Sequence, residues 1–144
     1  MKILMVCLGN ICRSPLAHGV LQHLVDEGGL DWEIDSAGTG DWHIGQAPDH
    51  RSIAVAAKYG IDISKQKAQH FNPTLFDRYD YILVMDNQNY KDVIAQTTSV
   101  AEREKVKLFI PDNAVPDPYF DAKMFDPVYK MIEKRCAELI NELK

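Results

Sequence analysis

The segment Cys7-Leu8-Gly9-Asn10-Ile11-Cys12-Arg13-Ser14 places a thiol six residues before an arginine, with a glycine and an asparagine between them and a serine after. Thiol and guanidinium at that spacing suit attack on a phosphorus atom: the thiolate supplies the electron pair, and a planar fork grips two phosphoryl oxygens. A phosphoryl group also needs backbone N–H groups turned inward and a helix N-terminus beneath it. Gly9 and Asn10 are of the types that adopt the positive φ angles which turn successive amides to one side. A free thiol, with a pKa of about 8.5, is mostly protonated at neutral pH. The nucleophile therefore depends on the same donors, namely the helix end, the amides, Arg13 and the Ser14 hydroxyl, to hold its ionised form.

The elements that must position this loop follow from the pattern on either side of it. The apolar, partly β-branched run before Cys7 reads as a strand. Ser14 and Pro15 then open a helix whose Leu16, Val20 and Leu24 recur every four residues, with Ser14 as its cap and Gly28-Gly29 as its end. Further strands are expected at residues 32–36, 81–85 and 106–110, and further helices at 48–59, 87–96 and 124–143, with a proline-rich loop over 111–118. Strand and helix alternate throughout. Such alternation predicts an α/β fold, an open parallel sheet covered by helices on both faces, with ligands bound beyond the carboxyl ends of the strands, where Cys7 lies.

The chain of 144 residues, 46% of them hydrophobic, is expected to form one domain over residues 1–144. A net charge of −5 with no basic run argues against nucleic acid as a partner. No apolar stretch is long enough to span a membrane, and the run at residues 3–8 is too short for a secretory core. Three cysteines without an export signal read as reduced thiols and a cytoplasmic protein. The five histidines form no ligand pair, His18 and His23 being five apart on a helix, so neither metal nor cofactor is expected.

Expelling an alkoxide or phenolate takes a proton from a carboxylic acid opposite the nucleophile, and Asp112, Asp117, Asp121 and Asp126 are the candidates in the late loop. Asp117 alone is flanked by prolines on both sides, Pro116 and Pro118, which hold its backbone extended.

The loop resembles the signature of the low-molecular-weight protein tyrosine phosphatases, Cys-x-Gly-Asn-x-Cys-Arg-Ser-Pro, at every specified position from Cys7 to Pro15. Resemblance continues at Ser36-Ala37-Gly38-Thr39, Met85-Asp86 and Asp117-Pro118-Tyr119, in order along nearly the whole chain. It implies a three-layer, four-stranded parallel sheet of order 2-1-3-4. It also implies a cysteinyl-phosphate mechanism in which Cys7 is the nucleophile, Arg13 the phosphate clamp and Asp117 the general acid and base. The substrate would be a phosphotyrosine protein or an aryl phosphate, and inorganic phosphate the product. Asn10 paired with Ser36, together with Asp86, would buttress the loop, and Cys12 would trap an oxidised Cys7 as a disulfide. Gln66 stands where the family has a histidine, Ala68-Gln69-His70 replaces Ala-Arg-Gln, and the family's glycine-containing stretch after the acid is Tyr119-Phe120-Asp121-Ala122 here. Gln66 and Gln69 accordingly fall outside the expected site.

An aryl ring needs walls, and Trp42, Tyr119 and Phe120 occupy loops expected to reach the same strand ends as Cys7. Two alternatives compete. An arsenate reductase on the same scaffold would need further cysteines in a later segment, yet none occurs between Leu75 and Ala101. A non-catalytic phosphate-binding domain would have no use for Asp117.

Overall fold

A computed structural model describes residues 1–144. Its core is a four-stranded, all-parallel sheet of order β2-β1-β3-β4, built from β1 (Lys2–Cys7), β2 (Glu33–Gly38), β3 (Tyr81–Val84) and β4 (Val106–Leu108). The helices are α1 (Arg13–Glu27), α2 (His50–Lys58), α3 (Asn87–Ile94), α4 (Val100–Lys105) and α5 (Phe125–Leu143), with 3-10 turns at Pro73–Asp77 and Ala122–Met124. No helix is long and apolar enough to cross a membrane.

Because successive side chains of a strand face opposite ways, β1 divides its apolar residues between two layers. Ile3, Met5 and Cys7 join the larger core with Leu16, Leu21, Ile132 and Leu139 of α1 and α5. Leu4 and Val6 join a smaller core with Phe71, Phe76, Ile82, Val84 and Val93. The sheet is thus covered on both faces, as the unbroken apolar runs of β1 and β3 require.

Two short elements were not expected from the sequence. The 3-10 turn Pro73–Asp77 is capped by the Asn72 side chain, and α4 is capped by Ser99 but has no buried residue. Neither is long enough to set a periodic apolar face. Trp32, expected at the start of a strand, lies just before β2 and packs partly buried against the larger core.

The entry to α1 also differs from expectation. Cys12, not Ser14, is the N-cap, and no side chain caps the helix. Ser14 is already inside the first turn, its hydroxyl turned away to the thiol. Of Gly9 and Asn10 only Asn10 takes a positive φ, 56°. Asn10 alone supplies the left-handed turn of the loop.

Candidate active site

The loop after β1 has its carbonyls tied outward. Thr39 N donates to Cys7 O at 2.9 Å, Gly40 N to Leu8 O at 2.8 Å, and Asp49 N to Ile11 O at 2.8 Å. By contrast, no backbone N–H of residues 8–14 finds an acceptor within the protein. Asn10, Cys12, Arg13 and Ser14 among them are buried, and amides of buried residues are almost always paired. A run of free ones closing on a helix N-terminus is therefore an anion cradle.

Gly38 makes room for that cradle. A Cβ on it would stand 2.9 Å from Leu8 O, 3.0 Å from Asn10 N and 3.0 Å from Gly9 C, all backbone atoms that cannot yield. The end of β2 is bare so that the loop can cross it, a requirement not recognised in the sequence.

Cys7 lies at the centre of the loop, 2% exposed, with its Sγ 3.0 Å from Ser14 Oγ. The direction of that hydrogen bond follows from Asn10. Gln69 N donates to Asn10 Oδ1 at 2.9 Å, so the Asn10 amide must face Ser14, and its Nδ2 donates to Ser14 Oγ at 2.8 Å. Ser14 Oγ has thereby accepted one proton and points its own at the sulfur, the alternative acceptor, Ala37 O, being 3.5 Å away.

Ser36, expected beside Asn10, is not bonded to it. Its hydroxyl pairs with His18 Nδ1 at 3.2 Å, while its carbonyl accepts Gln69 Nε2 at 2.9 Å. Burial, partly offset by Asp35, holds the His18 imidazole below its ordinary pKa. Gln69 therefore takes the place expected of Ser36: its main chain holds Asn10 and its side chain holds β2. Gln66 remains apart, donating to Pro15 O at 3.1 Å.

Arg13 is 3% exposed, and its Nη1 donates to Asp86 Oδ2 at 2.7 Å and Val115 O at 3.0 Å. Asp86 uses its other oxygen to cap α3 at Asn89 N, 2.8 Å away, so the arginine is anchored to a helix end. Burial works against the Arg13 charge, but Cys7, Asp86 and Asp117 around it outweigh that and raise its pKa. One edge of the guanidinium is thus occupied, leaving the other for a ligand.

Asp117 Oδ2 stands 3.8 Å from Arg13 Nη2, and Oδ1 accepts Tyr119 N at 3.1 Å. The other three aspartates are engaged elsewhere. Asp112 turns the chain at φ 59°, Asp121 caps the 3-10 turn through Lys123 N, and Asp126 binds Lys58 and Tyr59 of the α2 end.

A cavity of about 190 Å³ collects these groups, with Cys7, Leu8, Gly9, Ile11, Cys12 and Arg13 as floor and Trp42, His43, Asp117, Tyr119 and Phe120 as rim. That is smaller than the roughly 300 Å³ at which drug-sized ligand sites begin, and suits one phosphorylated ring. The Trp42 ring lies where a Cβ on Gly40 would stand, and Tyr119 meets Phe120 edge to face at 4.9 Å. His43 was not singled out in the sequence. It lies against Gly9, with its Nδ1 2.9 Å from Gln46 Oε1. A larger groove of about 580 Å³ along β3, β4 and α5 is lined by no cysteine, serine, threonine or histidine.

A parallel sheet with an amide-lined anion loop, a thiol at its centre and a carboxylate facing it fits the class of cysteine-dependent phosphatases. The model of the family described as low molecular weight phosphotyrosine protein phosphatase matches residues 2–144. The chain is 33% identical over 152 residues to the low molecular weight phosphotyrosine protein phosphatase of Sus scrofa, covering 99% of this chain and 96% of that protein. A protein tyrosine phosphatase structure from Entamoeba histolytica superposes with TM-score 0.92 at 34% identity, covering 99% of this chain and 96% of that one. Vibrio vulnificus Wzb, solved in complex with benzylphosphonate, gives TM-score 0.88 at 30% identity, with 99% and 98% covered. The chain belongs to the low molecular weight phosphotyrosine protein phosphatase family, and is a protein tyrosine phosphatase.

Proposed function

We propose that residues 1–144 act as one phosphatase domain that hydrolyses phosphotyrosine in proteins through a phosphate ester of Cys7. The single observation that carries this reading is the run of unpaired amides over residues 8–14 around the Cys7 sulfur, closed by the anchored Arg13 fork. Phosphoryl oxygens take up those N–H groups and the free edge of Arg13. The phosphorus is then presented to the sulfur, with the leaving oxygen towards Asp117.

In the first step the Cys7 thiolate forms the S–P bond as the P–O bond to the tyrosyl oxygen breaks, and protonated Asp117 delivers its proton to that oxygen. In the second, the Asp117 carboxylate takes a proton from water as the water oxygen attacks phosphorus. The S–P bond breaks, the thiolate returns, and inorganic phosphate leaves. A positioned acid of this kind contributes about 10²- to 10⁴-fold. The charge that develops on the equatorial oxygens is met by groups already in place, which favours the transition state over the free substrate.

Trp42, Tyr119 and Phe120 supply faces for an aromatic ring, and a short serine side chain would not carry its phosphate past them. The benzylphosphonate bound to Wzb, a ring joined to a phosphate-like group, supports that choice. Reduced cysteines favour a cytoplasmic setting, and neither nucleic acid nor membrane enters the reaction.

The test is turnover of aryl phosphates and of matched phosphotyrosine and phosphoserine peptides. Cys7→Ser removes turnover, Asp117→Ala slows esters of poor leaving groups much more than good ones, and phosphotyrosine is preferred. Full activity in Cys7→Ser would sink the mechanism, and equal peptide rates would sink the aromatic walls.

A further inference from the structure

We propose that Arg51 is a positioning residue for the general acid, setting the Asp117 carboxylate through Tyr119; the inference rests on reading Asp117 as that acid. Arg51 is the second residue of α2 and is held from one side by Asp49. Its Nε donates to Asp49 Oδ1 at 3.0 Å and its Nη2 to Asp49 Oδ2 at 2.9 Å, a two-pronged grip that fixes the plane of the guanidinium. The same Asp49 caps α2 at Arg51 N, 2.8 Å away, and its own N–H holds Ile11 O of the phosphate loop. Arg51 is therefore registered to the loop that receives the phosphate.

What the fixed plane carries is the acid segment. The guanidinium carbon lies 4.6 Å from the Phe125 ring centroid and 5.4 Å from that of Tyr119. Phe125 is buried at the start of α5 and Tyr119 lies on the exposed acid segment, so the one guanidinium joins that segment to the core. Both distances lie within the range of cation–π attraction. Apart from buried Pro118 and the ion pair of Asp117 with Arg13, the tip of this segment is held by hydrogen bonds within itself, Asp117 Oδ1 to Tyr119 N and Asp121 N to Pro118 O, each at 3.1 Å.

The link to the proton donor is the first of those two bonds. With Oδ1 committed to Tyr119 N, the position of Tyr119 decides where Oδ2 points, and Oδ2 is the oxygen facing Arg13. Arg51 thus acts at one remove: its plate sets the ring, the ring sets the backbone N–H, and the N–H orients the carboxylate. It touches neither substrate nor phosphorus.

The experiment measures kcat/KM, which reports the step that breaks the ester, over aryl phosphates of increasing leaving-group pKa. The proteins are the wild type, Arg51→Met, Tyr119→Leu and Asp117→Ala. Arg51→Met keeps an unbranched apolar stem but removes the guanidinium plate. Expected for it are a value within about twofold of wild type on nitrophenyl phosphate, unchanged competitive inhibition by inorganic phosphate, and a loss of about tenfold on the poorest leaving group. Tyr119→Leu, a change on an exposed loop, should steepen the dependence in the same way, and adding Arg51→Met to it should steepen it no further. A slope in Arg51→Met and Tyr119→Leu parallel to wild type, with Asp117→Ala steep, would overturn the inference alone. A wild-type slope in Asp117→Ala would overturn the assignment of the acid, and the inference with it.

Discussion

Ser14 Oγ lies 3.0 Å from Cys7 Sγ, and because Asn10 donates into the same oxygen, the serine proton is directed at the sulfur. A hydroxyl so placed stabilises the thiolate both as nucleophile and, in the second step, as leaving group. A hydrogen bond to a charged group contributes about 1.5–3 kcal/mol. Ser14→Ala is accordingly expected to lower kcat at least about tenfold. Pre-steady-state release of the phenol measures which step suffers: a burst preceding slow turnover would place the loss in hydrolysis of the phosphoenzyme, and unaltered kcat would remove Ser14 from the chemistry.

Gly38→Ala drives a methyl group into the backbone of residues 8–10. Overpacking of this kind costs about 1–3 kcal/mol, and here the strain falls on the anion cradle itself. Phosphate inhibition and kcat/KM should both weaken, while the far-UV spectrum stays that of the native sheet. Wild-type affinity for phosphate in this variant would mean that the loop has room to move.

Cys12 is a buried free thiol within the loop. Burial first, then Asp49 and Cys7, push its pKa up to about 12, so at neutral pH it does not compete with Cys7 for phosphate. The redox role that the family resemblance implies for Cys12 is then a prediction: were peroxide to convert Cys7 to its sulfenic acid, attack by the Cys12 sulfur would form the disulfide and release water. Wild-type enzyme treated with peroxide should recover most of its activity in dithiothreitol, whereas Cys12→Ser should recover little. Equal recovery would refute the trap.

Asp126 accepts from Lys58 Nζ at 2.9 Å and from Tyr59 OH at 2.8 Å, and these bonds lower its pKa to about 2. A carboxyl depressed in the folded state adds stability above its unfolded pKa, about 3.9, and loses it as the pH falls towards 2. Asp126→Asn should therefore melt below wild type at pH 6, with the gap closing between about pH 4 and pH 2. A gap independent of pH would assign the loss to packing at the joint of α2 and α5.

The residues proposed to carry chemistry stood out in the sequence by type and by family resemblance: a thiol before a Gly-Asn turn, an arginine at the helix start, and an aspartate between prolines that the resemblance singled out from its neighbours. The central strands β1 and β3 were legible for a similar reason, since a doubly covered parallel strand must be apolar on both faces, whereas the edge strands β2 and β4 carry Glu33, Asp35 and Lys107 and show no such run. What escaped was geometry that passes through main chain. Asn10 is held by the backbone N–H of Gln69, an atom every residue but proline possesses, so the residue at position 69 showed nothing of the role. Ser36 carries a suitable hydroxyl and was expected beside Asn10, yet it turns to His18 on the neighbouring helix. Gly38 matters for a side chain it does not have, and only the crossing of the loop above it reveals why.

The two contacts that anchor Arg13 come from residues 73 and 102 positions further along the chain, Asp86 at the end of β3 and Val115 beyond β4. Neither exists until β3 has docked beside β1 and the chain beyond β4 has returned to it, and closing such long loops is the slow part of acquiring a fold. A partly folded chain with α1 already formed would hold the signature sequence but no usable site. Catalytic activity should therefore return late in refolding, after helical signal and collapse, and so can serve as a clock for the docking of β3 and the chain beyond β4 onto β1.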